Sequence, residues 1–370
     1  MTQSTEHEGT HKGARADSAA QHGGRPPSIV DVAALANVSY QTVSRVLNGH
    51  PSVRPSTRLA VLGAVEQLGY RPSNAARTLV TGRSRTLGVL VLDIADSEGL
   101  TPLYGIEHSA RELGYFVGIG AVDAIDRTSV QATVGRLAEQ SIAGLLVIAP
   151  VDATQDALAS VPPHLPVVAI EGDPGGSVTT VGVDQAAGAR AAVEHLLSLG
   201  HETVFHVRGP SEWMQSQDRM AGWRAALEAV GADTPMPLAG DWTAESGYEA
   251  GQVLARIPEL TAVFAGNDQM ALGLMLALSE RGISVPGDVS VVGYDDGADA
   301  PYYNPPLTTV RQDFRAVGRR AVELLVSRVE ESDSETEHVL LDAEFVARKS
   351  TADARALVSR AAVDSKTLHR

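Results

Sequence analysis

Ile29-Val-Asp-Val-Ala-Ala-Leu-Ala-Asn-Val-Ser-Tyr-Gln-Thr-Val-Ser-Arg-Val-Leu-Asn48 reads as a helix, a tight turn and a second helix. Asn37 stands where the turn needs a left-handed residue, and asparagine tolerates that conformation better than other side chains. Ser39 is placed to cap the second helix by accepting from its free backbone N–H groups. Along that helix Val43, Val46 and Leu47 share one face, at spacings of three and four, while Tyr40, Gln41, Ser44 and Arg45 share the other. One face packs and the other is left to read a partner. A third helix, roughly residues 56–68, supplies packing support. A helix of this size fits the DNA major groove, where glutamine and arginine offer paired hydrogen bonds to base edges. A helical hairpin inside some other domain is the competing reading.

Charge along the chain favours the nucleic-acid reading. The whole chain carries a formal net charge of −15, yet residues 26–85 hold seven arginines (Arg45, Arg54, Arg58, Arg71, Arg77, Arg83, Arg85) against Asp31 and Glu66. The stretch before them balances, so a small basic module is attached to a strongly acidic body. Such asymmetry is an electrostatic footprint of nucleic-acid binding, because a local patch holds phosphates while the body repels them.

The remaining length allows one or two further domains, since 370 residues at roughly 100–200 per domain make two or three. Apolar runs of strand length alternate with longer helical patterns: 87–92, 115–119, 145–148, 167–170, 204–207, 262–264 and 289–292. That alternation predicts parallel sheets covered by helices on both faces. Thr128 with Gln131 reads as a capping box, and Gly282 as the end of a helix begun at Asp268. Seven or more strands exceed one modest sheet, so two α/β lobes with a cleft at their strand ends are expected. No apolar run approaches the ~20 residues of a membrane span, and no secretory signal is evident near the start. With 44% hydrophobic residues and no cysteine, the chain reads as a cytoplasmic globular protein without thiolate metal sites or disulfides.

Between module and body, Ser73-Asn-Ala-Ala-Arg-Thr-Leu-Val80 has helical composition but is too short to hold alone in water. Leu79 is its one large leucine. Such a side chain can wedge between base steps from the minor groove, or it can pack on the body.

With these residues in place, the chain resembles the LacI/GalR (lac repressor) family of bacterial transcriptional regulators. The resemblance rests on Val38-Ser-Tyr-Gln-Thr-Val-Ser-Arg-Val46 and on Gly240-Asp-Trp242, Asn267-Asp-Gln-Met-Ala-Leu-Gly273, Val291-Val-Gly-Tyr-Asp-Asp296 and Pro305-Pro-Leu-Thr-Thr309, running on to Gln312-Asp-Phe314. It extends to about Thr351. It implies an all-α helix-turn-helix headpiece joined to a periplasmic-binding-protein-like α/β body of two doubly wound parallel-sheet lobes. The stretch 1–27, almost without large apolar residues, is expected to be a disordered tail; the further implied parts are a helix-turn-helix DNA-binding domain over 28–72, a hinge helix and linker over 73–85, a two-lobed effector-binding and dimerisation body over 86–351, and a flexible tail over 352–370. Tyr40, Gln41 and Arg45 would specify double-stranded operator DNA, with Ser39, Ser44 and Asn48 as further contacts and Leu79 as the hinge wedge.

The same resemblance places Glu171, Arg219, Trp223, Trp242, Asn267, Asp295 and Gln312 at effector-binding positions. Their chemistry suits carbohydrate, which needs an aromatic platform and paired hydrogen bonds. Trp242 sits in a predicted loop, Asp295 and Asn267 follow strands, and Arg219 is read as beginning a helix. Other readings stand beside these: Trp223 as helix packing, Gln312 as a hinge residue, Arg219 with Asp295 as a structural ion pair. Glu171 replaces an expected aspartate and Val183 an expected phenylalanine, so the glycoside need not be the family's usual one.

Enzyme chemistry finds little support. His201 and His206 are five apart on a segment read as a strand, facing opposite ways, and Asp295 and Asp296 diverge as neighbours on one strand end. No nucleophile elbow, P-loop or dinucleotide fingerprint is present. The expectation is a non-enzymatic repressor of carbohydrate-use genes, without cofactor, metal or membrane, released from its operator by a galactoside-like inducer. A purine or other corepressor is the alternative ligand, and a solute-binding sugar receptor the alternative class. After Thr351 no leucine heptad follows, which predicts a homodimer.

Overall fold

The computed structural model describes residues 27–47, 49–70, 84–92, 101–122, 127–148, 161–172, 178–331 and 335–354. The chain separates into two compact units, the first ending at Gly82 and the second beginning at Arg83. Asn48, Leu79, the proposed hinge helix and both expected tails up to 26 and from 355 lie outside the described residues.

The first unit consists of α1 (Ile29–Leu35), α2 (Tyr40–Leu47) and α3 (Pro55–Leu68). Ser28 and Asp31 form a reciprocal capping box on α1, in which Asp31 Oδ2 accepts from the Ser28 backbone N–H at 2.7 Å. Asn37 takes up the left-handed turn at φ 51, and the Ser39 hydroxyl accepts from Thr42 N at 3.2 Å. Val32, Ala33, Val43, Val46, Val61 and Ala64 close the core of the unit.

The second unit holds two lobes. In the first, strands β1 (Thr86–Leu92), β2 (Phe116–Val122), β3 (Gly144–Ile148), β4 (Val167–Ile170), β5 (Thr179–Val183) and β11 (His338–Leu341) form one parallel sheet in the order β11-β5-β4-β3-β1-β2. The near-continuous apolar runs follow from burial on both faces. Leu87, Val89, Leu146 and Ile148 point into one core with Ile106 and Val317, whereas Leu90, Leu145 and Val147 point into another with Val130 and Leu137. The covering helices are α4 (Thr101–Glu112), α5 (Arg127–Glu139) and α10 (Phe314–Glu330).

The second lobe repeats the plan with β6 (Phe205–Arg208), β7 (Leu238–Ala239), β8 (Ala262–Ala265) and β9 (Ser290–Val292), ordered β7-β6-β8-β9 and all parallel. Helices α6 (Gln185–Ser198) and α7 (Met214–Val230) cover one face; α8 (Ala244–Leu254) and α9 (Asp268–Glu280) cover the other. The chain crosses between lobes after β5, after β10 (Thr309–Arg311) and again between β11 and β12 (Glu344–Val346), where β10 and β12 form an antiparallel ribbon.

All seven apolar runs read from the sequence are strands of this unit. The five strands not foreseen are short, or are broken by glycine as in Thr179-Thr-Val-Gly-Val183. Gly282, at φ 73, ends α9 as expected. Helix α5 begins at Arg127, so Thr128 lies inside its first turn and not ahead of it. Arg219 does not begin a helix either: α7 starts five residues earlier, behind Trp213, which offers no capping oxygen that a sequence reading could detect. The body also runs past Thr351, since Ala352 N donates to Ser290 Oγ (3.0 Å) and Ala354 N to Leu199 O (2.9 Å).

Close helix contact in the second lobe is set by glycine. A Cβ on Gly273 of α9 would stand 1.7 Å from Ala244 O of α8, and one on Gly247 would stand 2.1 Å from Met270 O. Alanine normally stabilises a helix interior by about 1 kcal/mol relative to glycine, but here overpacking decides the sign. Gly273→Ala should destabilise the body by about 1–3 kcal/mol in urea titration; an unchanged or raised midpoint would show that α8 and α9 separate freely.

Candidate functional site

The carboxyl ends of the parallel strands carry the polar residues, as an open α/β arrangement places them. Glu171 follows β4, Trp242 follows β7, Asn267 follows β8 and caps α9, and Asp295 follows β9. Glu171 (φ 63), Trp242 (φ 73), Asp295 (φ 106) and Asp296 (φ 54) all hold left-handed backbone without being glycine. Such conformations persist only where the surroundings enforce them, and they cluster at binding sites.

Arg219 is the centre. Its side chain is buried, and it projects from the second turn of α7. Nε donates to Gln185 Oε1 at 2.9 Å, Nη1 to the Gly266 carbonyl, and Nη2 pairs with Asp295 Oδ1 at 3.1 Å. The guanidinium carbon lies 3.8 Å from the Tyr294 ring centroid and 5.4 Å from that of Trp242. Of the five N–H groups of an arginine, three are thus engaged within the described residues. One on each terminal nitrogen has no partner among the described residues.

Around this fork a relay of amides joins the lobes. Gln312 Nε2 donates to Asp295 Oδ1 at 2.6 Å and Gln185 Nε2 to Gln312 Oε1 at 2.7 Å. Gln185 Nε2 also reaches Glu171 Oε2 at 3.3 Å, and Val183 N donates to Glu171 Oε1 at 3.0 Å. Gln185 opens the first crossing between lobes and Gln312 lies on the second, so the hydrogen bond between them fastens two hinge strands. Asn267 holds the Trp242 loop, donating to the Trp242 carbonyl at 3.0 Å. Gly209 gives the Trp242 ring its place, since a Cβ there would stand 2.2 Å from the indole.

The structure therefore brings together Glu171, Arg219, Trp242, Asn267, Asp295 and Gln312. It leaves out Trp223, which is wholly buried in the second lobe, donates from Nε1 to Val204 O at 2.9 Å and packs against His206. Trp223 is a packing residue, its ring enclosed in the second lobe's core with Val204, Leu227 and Phe264. Gln185 and Tyr294 belong to the constellation and were not foreseen. Tyr294 lies inside the quoted Val291–Asp296 block, whereas Gln185 follows a strand whose glycine hid it.

Asp295 and Asp296 face opposite partners: Asp296 accepts from Arg311 Nε (2.7 Å) and from Arg348 Nη2. His201 precedes β6 and meets Thr261 and Ser290, while His206 lies on β6 and meets the Phe264 carbonyl. Among the described residues no cluster of three or more His, Asp or Glu is placed to hold a metal ion. On the first unit, Ser39, Tyr40, Gln41 and Arg45 are exposed and Ser44 is half-buried.

These two halves define a class: a helix-turn-helix DNA-binding unit joined to a two-lobed small-molecule receptor. The family profile described as "Bacterial regulatory proteins, lacI family" matches residues 28–73, and "Periplasmic binding protein-like domain" matches 193–351. The lactose operon repressor of Escherichia coli (strain K12) is 34% identical over 332 residues, 88% of this chain and 91% of that protein. A lac repressor dimer bound to operator and the anti-inducer ONPF superposes with a TM-score of 0.82 at 34% identity, covering 89% of this chain and all of that one. A complex of the transcriptional regulator CelR with cellobiose gives 0.64 at 32% identity, covering 88% and 99%. The chain belongs to the lacI family of bacterial regulatory proteins. It is a DNA-binding regulator with a ligand-sensing body, not a plain solute receptor. No helix among the described residues is long and apolar enough to cross a membrane.

Two carboxyls of the body titrate near neutrality. Part of residue Glu171 reaches the surface, yet its carboxyl is enclosed, and burial pushes it up to about 7 against the downward pull of the Val183 N–H, Arg219 and Gln185. Asp268 is also raised to about 7, by burial first and then by the Asp295 charge. A folded carboxyl raised above its unfolded value contributes stability that is complete below the unfolded pKa and lost as pH rises through the folded one. These two carboxyls therefore contribute a decline in stability as pH rises from about 4 to about 7, opposed by His195, His201 and His206, whose pKa burial lowers and which cost stability as pH falls. Glu171→Gln should flatten part of that decline, and Glu171→Gln with Asp268→Asn most of it. Urea titrations at pH 5, 6.5 and 8 with one common slope for all three proteins would contradict this.

Proposed function

We propose that the chain is a cytoplasmic, non-enzymatic repressor of carbohydrate-use genes that binds its operator as a homodimer and is released by a glycoside. The carrying observation is the Arg219 centre: a buried guanidinium with two N–H groups left over, fixed by Asp295 and flanked by the Trp242 and Tyr294 rings. A planar fork with spare donors beside an aromatic face matches adjacent hydroxyls on a sugar ring. The lac repressor dimer bound to operator and the CelR complex with cellobiose support both halves of the reading.

In this reading Tyr40, Gln41 and Arg45 meet base edges, with Ser39 and Ser44 beside them, while two heads engage a pseudo-palindrome. Asn48 and Leu79 are assigned further contacts in the same way. Release follows from differential affinity: a glycoside favouring the non-binding arrangement 100-fold shifts the balance by about 2.7 kcal/mol. Effector and operator compete through the hinge crossings that Gln185 and Gln312 fasten.

Gln41→Ala should relax base preference at one operator position by about 1–3 kcal/mol while leaving salt-dependent phosphate binding. Anisotropy titrations on a randomised operator library that return an unchanged preference would remove Gln41 from the reading face. Arg219→Lys should preserve operator affinity and abolish release by glycosides, since an ammonium cannot reproduce the fork. An inducer response at wild-type concentration would displace Arg219 from the anchor role.

A further inference from the structure

Helix α2 ends in a compact turn that fixes one histidine. Gly49 holds left-handed backbone at φ 69; its N–H donates back to Val46 O at 3.1 Å, and the His50 N–H donates to Arg45 O at 2.9 Å. From the other side Arg58 of α3 donates from Nη2 to the His50 carbonyl at 2.8 Å. The backbone of His50 is thus pinned between two helices, while the residue itself is exposed. Nδ1 of its ring lies 2.9 Å from Ser52 Oγ and accepts from Ser52 N at 3.4 Å. A hydroxyl donates or accepts, so Ser52 suits the ring in either charge state. Nε2 has no partner among the described residues.

Every charge that the packed helices bring to this turn is positive. Arg45 comes from α2, and Arg54 and Arg58 stand at the start of α3. The two carboxylates among the described residues of this unit are elsewhere. Asp31 closes the α1 cap with Ser28, and Glu66 stands eight residues beyond Arg58 along α3, an axial distance of about 12 Å. An imidazolium at His50 therefore finds no ion partner inside the unit. A DNA duplex supplies one. Helix α2, with 8 residues, is about 12 Å long, and the major groove is about 12 Å wide. With Arg45 at a base edge, the turn beyond it reaches the groove wall, where the phosphates stand. We infer that His50 is a proton-dependent phosphate contact, so that each unit takes up a proton from solvent as it binds its operator. The proton adds to Nδ1, which then donates to Ser52 Oγ, and the Nε2–H donates to a phosphate oxygen. Histidine changes charge within the physiological range, so operator affinity rises as pH falls. This rests on the reading of α2 as the operator-reading helix and adds a contact that is independent of base sequence.

The test uses the full-length protein and a duplex that it enriches from a randomised library, with anisotropy titrations over a range of salt at pH 6 and pH 8. Wild type should bind at least about tenfold more tightly at pH 6. Its slope of log K against log salt should be steeper there by about 1–2, because each neutralised phosphate adds ~0.9 and a dimer carries two reading helices. His50→Gln should match wild type within about twofold at pH 8 and lose most of the gain at pH 6. His50→Arg, charged at both pH values, should bind at pH 8 as wild type does at pH 6. Calorimetry at pH 7 in two buffers of unlike ionisation heat should show proton uptake by wild type in excess of that by His50→Gln. Equal wild-type slopes at the two pH values, or a pH dependence that His50→Gln retains in full, would overturn the contact and leave the reading of α2 standing. Enrichment of no duplex by wild type would overturn both.

Discussion

A guanidinium cannot shed its charge, so burying one obliges the rest of the protein to surround it. Arg219 draws Asp295, the Gly266 carbonyl, the Gln185 amide and the Tyr294 ring into fixed places, and removing any one leaves a buried charge short of a partner. Because Gln185 and Gln312 continue that network onto two of the three hinge crossings, the charge also fixes how the lobes meet.

The neighbouring aspartates divide the work. Asp295 faces inward to the guanidinium, while Asp296, one residue on and in left-handed backbone like it, faces Arg311 and Arg348. Arg311 ends β10 and Arg348 follows β12, so the loop that presents Asp295 is tied to the ribbon between the lobes. Asp268 adds a third tether: its carboxylate oxygens accept from Thr309 Oγ1 at 2.6 Å and Gly297 N at 2.8 Å. One loop thus joins the Arg219 centre to the crossings between the lobes.

Much of this was legible beforehand. The helix-turn-helix could be read because its signals are local: a left-handed Asn37, a capping Ser39 and the two faces of one short helix. The parallel sheets could be read because burial on both faces writes continuous apolar runs into the chain. Arg219 and Asp295 were visible as a pair only as one possibility among several, since 76 positions separate them and spacing says nothing of contact. Trp223 misled because a tryptophan one turn from Arg219 has the chemistry of a sugar platform, and only packing shows that it points into the core.

The sequence by itself determined the local elements, the charge division between basic head and acidic body, and the residue types able to bind a glycoside. Those depend on near neighbours and on composition, which a linear chain displays. Tertiary structure alone decided which of those residues meet, and that Gln185 and Tyr294 join them. Such facts arise when segments far apart in the chain are brought within hydrogen-bond distance, and no periodicity or spacing records that event.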